Sequence, residues 1–297
     1  MVTAPPPDRD DGGTPVGADV PVLPSGLYLV ATPIGNLEDL GPRARRVLAG
    51  VDRILCEDSR VTGGLLHACG LKRPLWPYHE HNAERVRPQV IAALARGERL
   101  ALVSDAGTPL ISDPGFKLVR EARAAGVRVV PIPGPSAVLA ALIVSGLPTD
   151  RFFFQGFLPT KTAARDRVLR ELAPLRATLV VFESAKRAEA SLRALAAILG
   201  PRPACLAREL TKTFEEVRSG ELAALADGCV ADPPRGEVVL VIGGAGEAPT
   251  MAESDVDAAL RSALTRLSPS EAAREVAAAT GLARRDLYRR ALALDGR

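Results

Sequence analysis

Asp105, Thr108, Ser112 and Asp113 crowd into "VSDAGTPLISDPG" (103–115), a stretch broken by two glycines and two prolines. The stretch follows the β-rich run "LALVS", so these groups stand at the end of a strand. Asp105 there can accept hydrogen bonds from a ribose or an amine, and Thr108 and Ser112 can donate or accept. Gly107 can take positive φ and lets a ligand approach the backbone closely. Pro109 and Pro114 limit the loop's freedom, so less entropy is lost on binding. Asp113 before Pro114 also reads as the N-cap of a following helix. Two other loops share the design. "ATPIGNLEDL" (31–40) follows the first strand, and "PIPGPSAVLAA" (131–141) follows the fourth and enters a helix at Ser136. Free N–H groups at that helix start suit a carboxylate. Three such loops are expected to converge on one pocket. The first strand is not followed by G-x-G-x-x-G, and the chain has no G-x-x-x-x-G-K-[ST], which argues against an ordinary dinucleotide site and a P-loop NTPase.

The elements that position these loops are read from the alternation of apolar runs and helical stretches. Strands are expected at 27–31, 51–56, 100–104 and 127–132, with helices near 40–49, 62–69, 83–96 and 115–125. After the linker "SGLPTD" (145–150), a second series has strands at 152–157, 178–182, 204–209 and 237–242 and helices near 161–173, 186–199 and 219–227. Continuous apolar strands separated by helices imply α/β sheets covered on both faces, with ligands at the carboxyl ends of the strands. The expected divisions are a disordered tail at 1–24, rich in proline and poor in apolar residues, then an α/β domain at 25–147, a second at 151–245 and a helical module at 252–297.

The chain has 297 residues, of which 47% are hydrophobic and 25% charged, an ordinary globular composition. A net charge of +3 is too small to imply nucleic-acid binding by itself. The four cysteines are far apart and form no C-x-x-C pair, so a reduced, cytoplasmic setting is expected. No apolar run reaches the roughly 18 residues of a membrane span. His79 and His81 in "YHEHN" would share one face of a strand, but no cysteine or third histidine supports a metal there, and none is expected.

Seven ordered motifs carry a resemblance: "LYLVATPIGNLEDL", "CEDSR", "ALVSDAGTPLISDPG", "VVPIPGPSA", "FQGFLP", "FESAKR" and "ARELTKTFEE". Together they resemble the ribosomal RNA small-subunit methyltransferase I family of the tetrapyrrole methylase superfamily, from about residue 26 to the C-terminus. The resemblance implies two α/β domains with S-adenosylmethionine in the cleft between them, a homodimer, and methyl transfer to the ribose 2′-hydroxyl of a cytidine in the decoding region of 16S rRNA in the 30S subunit. The implied cofactor contacts are Pro33, Ile34, Asp105, Gly107, Thr108, Ser136 and Ala137.

Such a transfer needs sulfur, methyl and acceptor oxygen in line, and water excluded. A ribose hydroxyl is a poor nucleophile at neutral pH, so a base or an alkoxide-stabilising cation is expected beside it. "CEDSR" supplies Glu57, Asp58 and Arg60, "FESAKR" supplies Glu183 and Arg187, and "RELTKTFEE" supplies Arg208, Glu209, Lys212, Glu215 and Glu216. Asp58, Arg60, Glu183 and Lys212 are the catalytic candidates. The plainer reading of these groups is an ion-pair network lining a domain interface, and the sequence leaves the base open.

The C-terminal "SPSEAAREVAAATGLARRDLYRRALAL" opens with a capping box at Ser268 and Glu271, with Pro269 between them as the first helical residue. Ala272, Ala273, Val276 and Ala277 form one small apolar face, Gly281 stops the helix, and a second helix carries Leu287, Tyr288, Ala291 and Leu292. This reads as a helix-turn-helix whose Arg284, Arg285, Arg289 and Arg290 suit RNA phosphate. Two other readings remain open: a tetrapyrrole methylase acting on a small molecule, and a ligand-responsive DNA-binding regulator.

Overall fold

A computed structural model describes residues 23–112, 114–246, 253–280 and 282–295. It divides into two compact units, residues 1–136 and 137–297. The tail expected at 1–24, the cap at Asp113 and the helix stop at Gly281 lie wholly or mostly outside the described residues.

The first unit is built on five parallel strands: β1 (Gly26–Val30), β2 (Arg53–Cys56), β3 (Leu75–Pro77), β4 (Arg99–Val103) and β5 (Val129–Ile132), in the order β3-β2-β4-β1-β5. The period of two along each strand sends neighbouring side chains to opposite faces. Tyr28, Val30, Ile54, Ala101 and Val103 pack on one side with Ala44, Val47 and Leu48 of helix α1 (Pro42–Gly50). Leu27, Leu55, Leu100 and Leu102 pack on the other with Val86 and Val90 of α3 (Ala83–Ala95) and Leu118 and Ala122 of α4 (Phe116–Ala124). Each buried leucine removes apolar area worth about 1.5–3 kcal/mol. Helix α2 (Ser59–Ala68) lies between β2 and β3 in sequence. β3 escapes the sequence reading because it is a three-residue edge strand ending in proline. His79 and His81 follow it in a turn rather than sharing a strand face.

The second unit begins with α5 (Ala137–Val144), which packs on β10 (Glu237–Ile242), so the first unit ends before the expected linker at 145–150. Its sheet is mixed, in the order β6-β7-β10-β8-β9. β6 (Phe152–Phe157) pairs parallel with β7 (Thr178–Ser184), whereas β10 runs antiparallel to both β7 and β8 (Pro203–Arg208). β9 (Glu216–Glu221) is an antiparallel edge strand of sequence EVRSGE, too polar to announce itself. Arg208 and Arg218 both ion-pair with its Glu216. The helix expected at 219–227 therefore starts later, as α8 (Leu222–Ala231). Leu179, Val181, Leu206 and Leu240 form the core with α6 (Thr162–Leu172), α7 (Ala185–Leu199) and α8.

Helices α9 (Glu253–Leu264), α10 (Pro269–Thr280) and α11 (Arg284–Asp295) enclose a small core of their own, with Val256, Leu260, Ala273, Val276, Leu287 and Ala291. Glu271 accepts from the Ser268 amide (3.2 Å) and hydroxyl (2.6 Å), which is the expected capping contact. Of the residues the last helix carries, Leu287 and Ala291 are buried while Tyr288 and Leu292 are exposed. Among the described residues no helix is long and apolar enough to cross a membrane, and no cluster of three His, Cys, Asp or Glu side chains offers a metal site. All four cysteines are free thiols.

Candidate cofactor and catalytic site

The loops after β1, β4 and β5 meet as the spacing of their small residues suggests. Thr32 and Gly107 exchange backbone hydrogen bonds (2.9 and 3.0 Å), a two-residue antiparallel bridge at the carboxyl ends of β1 and β4. The Thr32 hydroxyl donates to the Ser104 carbonyl at 3.1 Å, and Ser104 Oγ to the Gly107 carbonyl at 2.9 Å. Gly107 has φ +82°, and a Cβ there would stand 3.2 Å from Ile34 Cγ2. Only glycine satisfies both constraints without strain. Thr108 Oγ1 donates to the Pro135 carbonyl at 3.0 Å, which ties in the third loop. Ile34 is buried and Pro33 half-buried against this frame. Ser136 ends the first unit, and Ala137 opens α5 in the second.

The loop after β2 joins the same cluster. Asp105 Oδ1 accepts from the Asp58 amide at 3.1 Å. Asp58 is the N-cap of α2: its carboxylate accepts from the Arg60 amide at 2.8 Å and pairs with the Arg60 guanidinium at 2.6 Å. Arg60's hydrogen bond holds the Asp58 carboxyl down at about 2. Asp58 is thus an anion at any physiological pH and a poor proton acceptor. The Arg60 side chain is 91% exposed, so its cation is presented to solvent or to a ligand.

In the second unit the motif residues gather at one end of the sheet, where Glu183 and Arg208 both stand in register with Val238. Glu183, one of the catalytic candidates, lies at this end of the sheet. Its side chain is fully enclosed, with Oε1 accepting from the Ser184 amide (2.8 Å) and Oε2 from Ser191 (2.6 Å) and Arg187 (3.3 Å). Both carboxylate oxygens are thus engaged within the unit, and Arg187 also donates to the Leu158 carbonyl at 2.9 Å. Lys212 Nζ donates to Glu209 (2.9 Å) and Glu237 (2.8 Å). Burial alone would lower this ammonium's pKa, but Glu237 and Glu209 outweigh it and the net value lies above the ordinary one. Lys212 is therefore a fixed cation. Glu215 instead accepts from the Thr211 amide (2.6 Å) and stays in its own loop.

Strain marks the same two motifs. Among the described residues, the four non-glycines with positive φ are Leu110 (73°), Ser112 (65°), Glu209 (49°) and Thr211 (67°). They fall in "SDAGTPLISD" and "RELTK" and nowhere else. Such conformations cost energy and cluster at ligand clamps. Residue type gives no sign of them, since none of these four is glycine, asparagine or aspartate.

Residues 26–226 match the family of Tetrapyrrole (Corrin/Porphyrin) Methylases, and residues 250–295 match the RsmI C-terminal HTH domain. Ribosomal RNA small subunit methyltransferase I of Mesorhizobium japonicum is 51% identical over 93% of this chain and 95% of its own length. The chain belongs to the ribosomal RNA small subunit methyltransferase I family. The Pseudomonas aeruginosa member is 46% identical over 91% of this chain and 98% of its own. Among solved structures, uroporphyrin-III C-methyltransferase of Thermus thermophilus matches with a TM-score of 0.54 and 24% identity over 74% of this chain and 94% of that one. A cobalt precorrin-4 methyltransferase matches with a TM-score of 0.56 and 16% identity, covering 73% of this chain and 94% of its own. At these identities the two structures share the fold. Family membership makes the chain an S-adenosylmethionine-dependent methyltransferase, and the converging loops are chemically suited to that donor. The second oxygen of Asp105 makes no hydrogen bond among the described residues and can accept from a hydroxyl or amine. The donor is already activated, so no metal is needed.

Proposed function

We propose that this methyltransferase transfers a methyl group from S-adenosylmethionine to the 2′-hydroxyl of a cytidine ribose in the decoding region of 16S rRNA, acting in the cytoplasm on the 30S subunit as a homodimer. The observation that carries the rRNA reading is the pairing of a methylase core with the arginine-bearing helical module, in a chain with relatives at 45–51% identity that are named for ribosomal RNA. The tetrapyrrole enzymes share only the fold, so a small-molecule substrate has weaker support.

In the reaction the ribose oxygen attacks the methyl carbon, the carbon–sulfur bond breaks, and S-adenosylhomocysteine leaves with the bond's electron pair. The hydroxyl proton passes to water. Pro33, Ile34, Asp105, Gly107, Thr108, Ser136 and Ala137 hold and orient the donor. Asp58 fixes the loop through its cap and keeps Arg60 in place. Arg60 supplies positive charge to the developing alkoxide, and Lys212 is the second unit's candidate for the same role. No carboxylate general base is required by this scheme. The dimer reading is supported by apolar side chains left in solvent on α5 and on edge strand β6, among them Ile143 (74% exposed) and Phe157 (58% exposed).

The test is incorporation of labelled methyl from S-adenosylmethionine. Label in 30S subunits at a ribose resistant to alkaline cleavage supports the reading. Label in uroporphyrinogen with none in 30S refutes it.

A further inference from the structure

The amino ends of the first sheet, opposite the cofactor loops, form a cavity of about 670 Å³. Its walls come from the residues that lead into the strands and from α1. Arg99 starts β4, Arg128 precedes β5, Asp52 precedes β2 and Arg73 precedes β3, while Arg43 and Arg46 project from α1. Five arginines therefore face one carboxylate in a protein whose whole net charge is only +3. Two of the five are committed. Arg99 pairs with Asp52 at 2.5 Å, and Arg73 donates to the Ala49 and Lys72 carbonyls. Arg43, Arg46 and Arg128 are exposed and make no ion pair among the described residues. Like charges crowded round a concavity repel one another, and an arriving anion relieves that repulsion while meeting guanidinium forks.

We infer that this cavity binds backbone phosphates of the RNA substrate, as a second anchor in addition to the chemistry at the far end of the sheet. The inference rests on the rRNA reading above. Strands of about five residues at roughly 3.3 Å each put the two ends about 15 Å apart. A polynucleotide spans that distance and a small substrate does not. Phosphate contacts position a strand without reading its sequence, which suits a site made of arginines whose one aromatic side chain, Tyr28, is buried and offers no stacking face.

The test compares full-length wild type with the triple variant Arg43→Ala, Arg46→Ala and Arg128→Ala, and with the matching triple Lys variant, for 30S binding across a salt series. All three side chains are exposed, so folding is checked simply by circular dichroism. The Ala variant is expected to bind about tenfold or more weaker near 0.1 M salt. Its log K against log salt should be shallower by roughly 0.7–0.9 for each phosphate that is no longer neutralised. The Lys variant should keep most of the affinity, and S-adenosylmethionine affinity should be unchanged in both. A folded Ala variant with wild-type affinity and salt slope overturns the inference while leaving methyl transfer by wild type intact. Thermal protection of wild type by inorganic pyrophosphate, combined with unchanged 30S binding by the Ala variant, also overturns it and assigns the cavity to a small phosphorylated ligand. Absence of methyl transfer to 30S by wild type is a separate failure, of the substrate reading.

Discussion

Asp105 has one carboxylate oxygen on the Asp58 amide, and its other oxygen makes no hydrogen bond among the described residues. Replacement by Ala should weaken S-adenosylmethionine binding by about 1.5–3 kcal/mol, the loss of one charge-assisted bond, measured by titration calorimetry. Unchanged affinity would remove Asp105 from the site. Thr108→Val should act more weakly, by loosening the Pro135 loop, and Ser136→Ala more weakly still. Gly107→Ala should cost about 1–2 kcal/mol of stability from left-handed backbone alone, and the Cβ contact with Ile34 adds to it, read as a fall in Tm. On the proposed scheme, Lys212→Met should lower kcat by on the order of 10²-fold with donor affinity unchanged. A wild-type kcat would exclude Lys212 from the alkoxide. The acid limb of stability follows from Glu216, whose carboxyl Arg218 and Arg208 hold at about 2 against an ordinary 4.5. Its folded value is depressed, so its contribution is complete above pH 4.5 and lost as pH falls through about 2. Between pH 8 and 5 this group leaves stability flat, and Glu216→Gln should make the fall below pH 4 shallower in urea titrations. The meeting of the loops that carry Asp105, Gly107 and Thr108 was legible in sequence, because glycines and small polar residues after a strand permit close backbone approach. The enclosure of Glu183 was not, since it depends on Ser191 and Arg187 arriving from α7.

Helix α11 shows how an element sorts residues that look alike in sequence. Arg290 pairs with Asp257 of α9 at 2.5 Å, and Arg284 reaches Ser270 of α10 at 3.1 Å. These two hold the three-helix module together, so Arg290 is withdrawn from the expected RNA-facing set. Arg285 and Arg289 remain outward, with Arg289 only loosely paired to Asp286 at 3.3 Å. They lie four apart on one face, and replacing both by Ala should weaken 30S binding and flatten its salt dependence without touching donor affinity. Equal affinity and slope would leave the helix a purely structural part of its module. The central strands were readable from apolar runs of four to six residues. β3 and β9 were not, because an edge strand needs apolar side chains on neither face and is fixed by its neighbour's ladder. The antiparallel course of β10 was equally hidden: strand direction depends on the path of the connections, which composition does not record.

For the molecule as a whole, apolar side chains on α5 and β6 remain in water in a single chain, and an edge strand exposing Phe152, Phe153 and Phe157 invites pairing. Light scattering at micromolar concentration should give a dimer, and Ile143→Asp should shift it toward monomer. A monomeric wild type would contradict the assembly. The division at Ser136 was shifted from the expected linker because the helix after it is apolar enough to serve either sheet, and only its packing on β10 decides. The bridge between Thr32 and Gly107 has a further consequence. Glycine in a loop suggests rapid local opening, yet these two amides are locked to each other as in a sheet. Their deuterium exchange should be as slow as that of Leu29 and Leu102 within the strands, released only when the whole first unit unfolds. The donor would then meet a surface already frozen into shape, and its arrival should leave the protection of these amides almost unchanged.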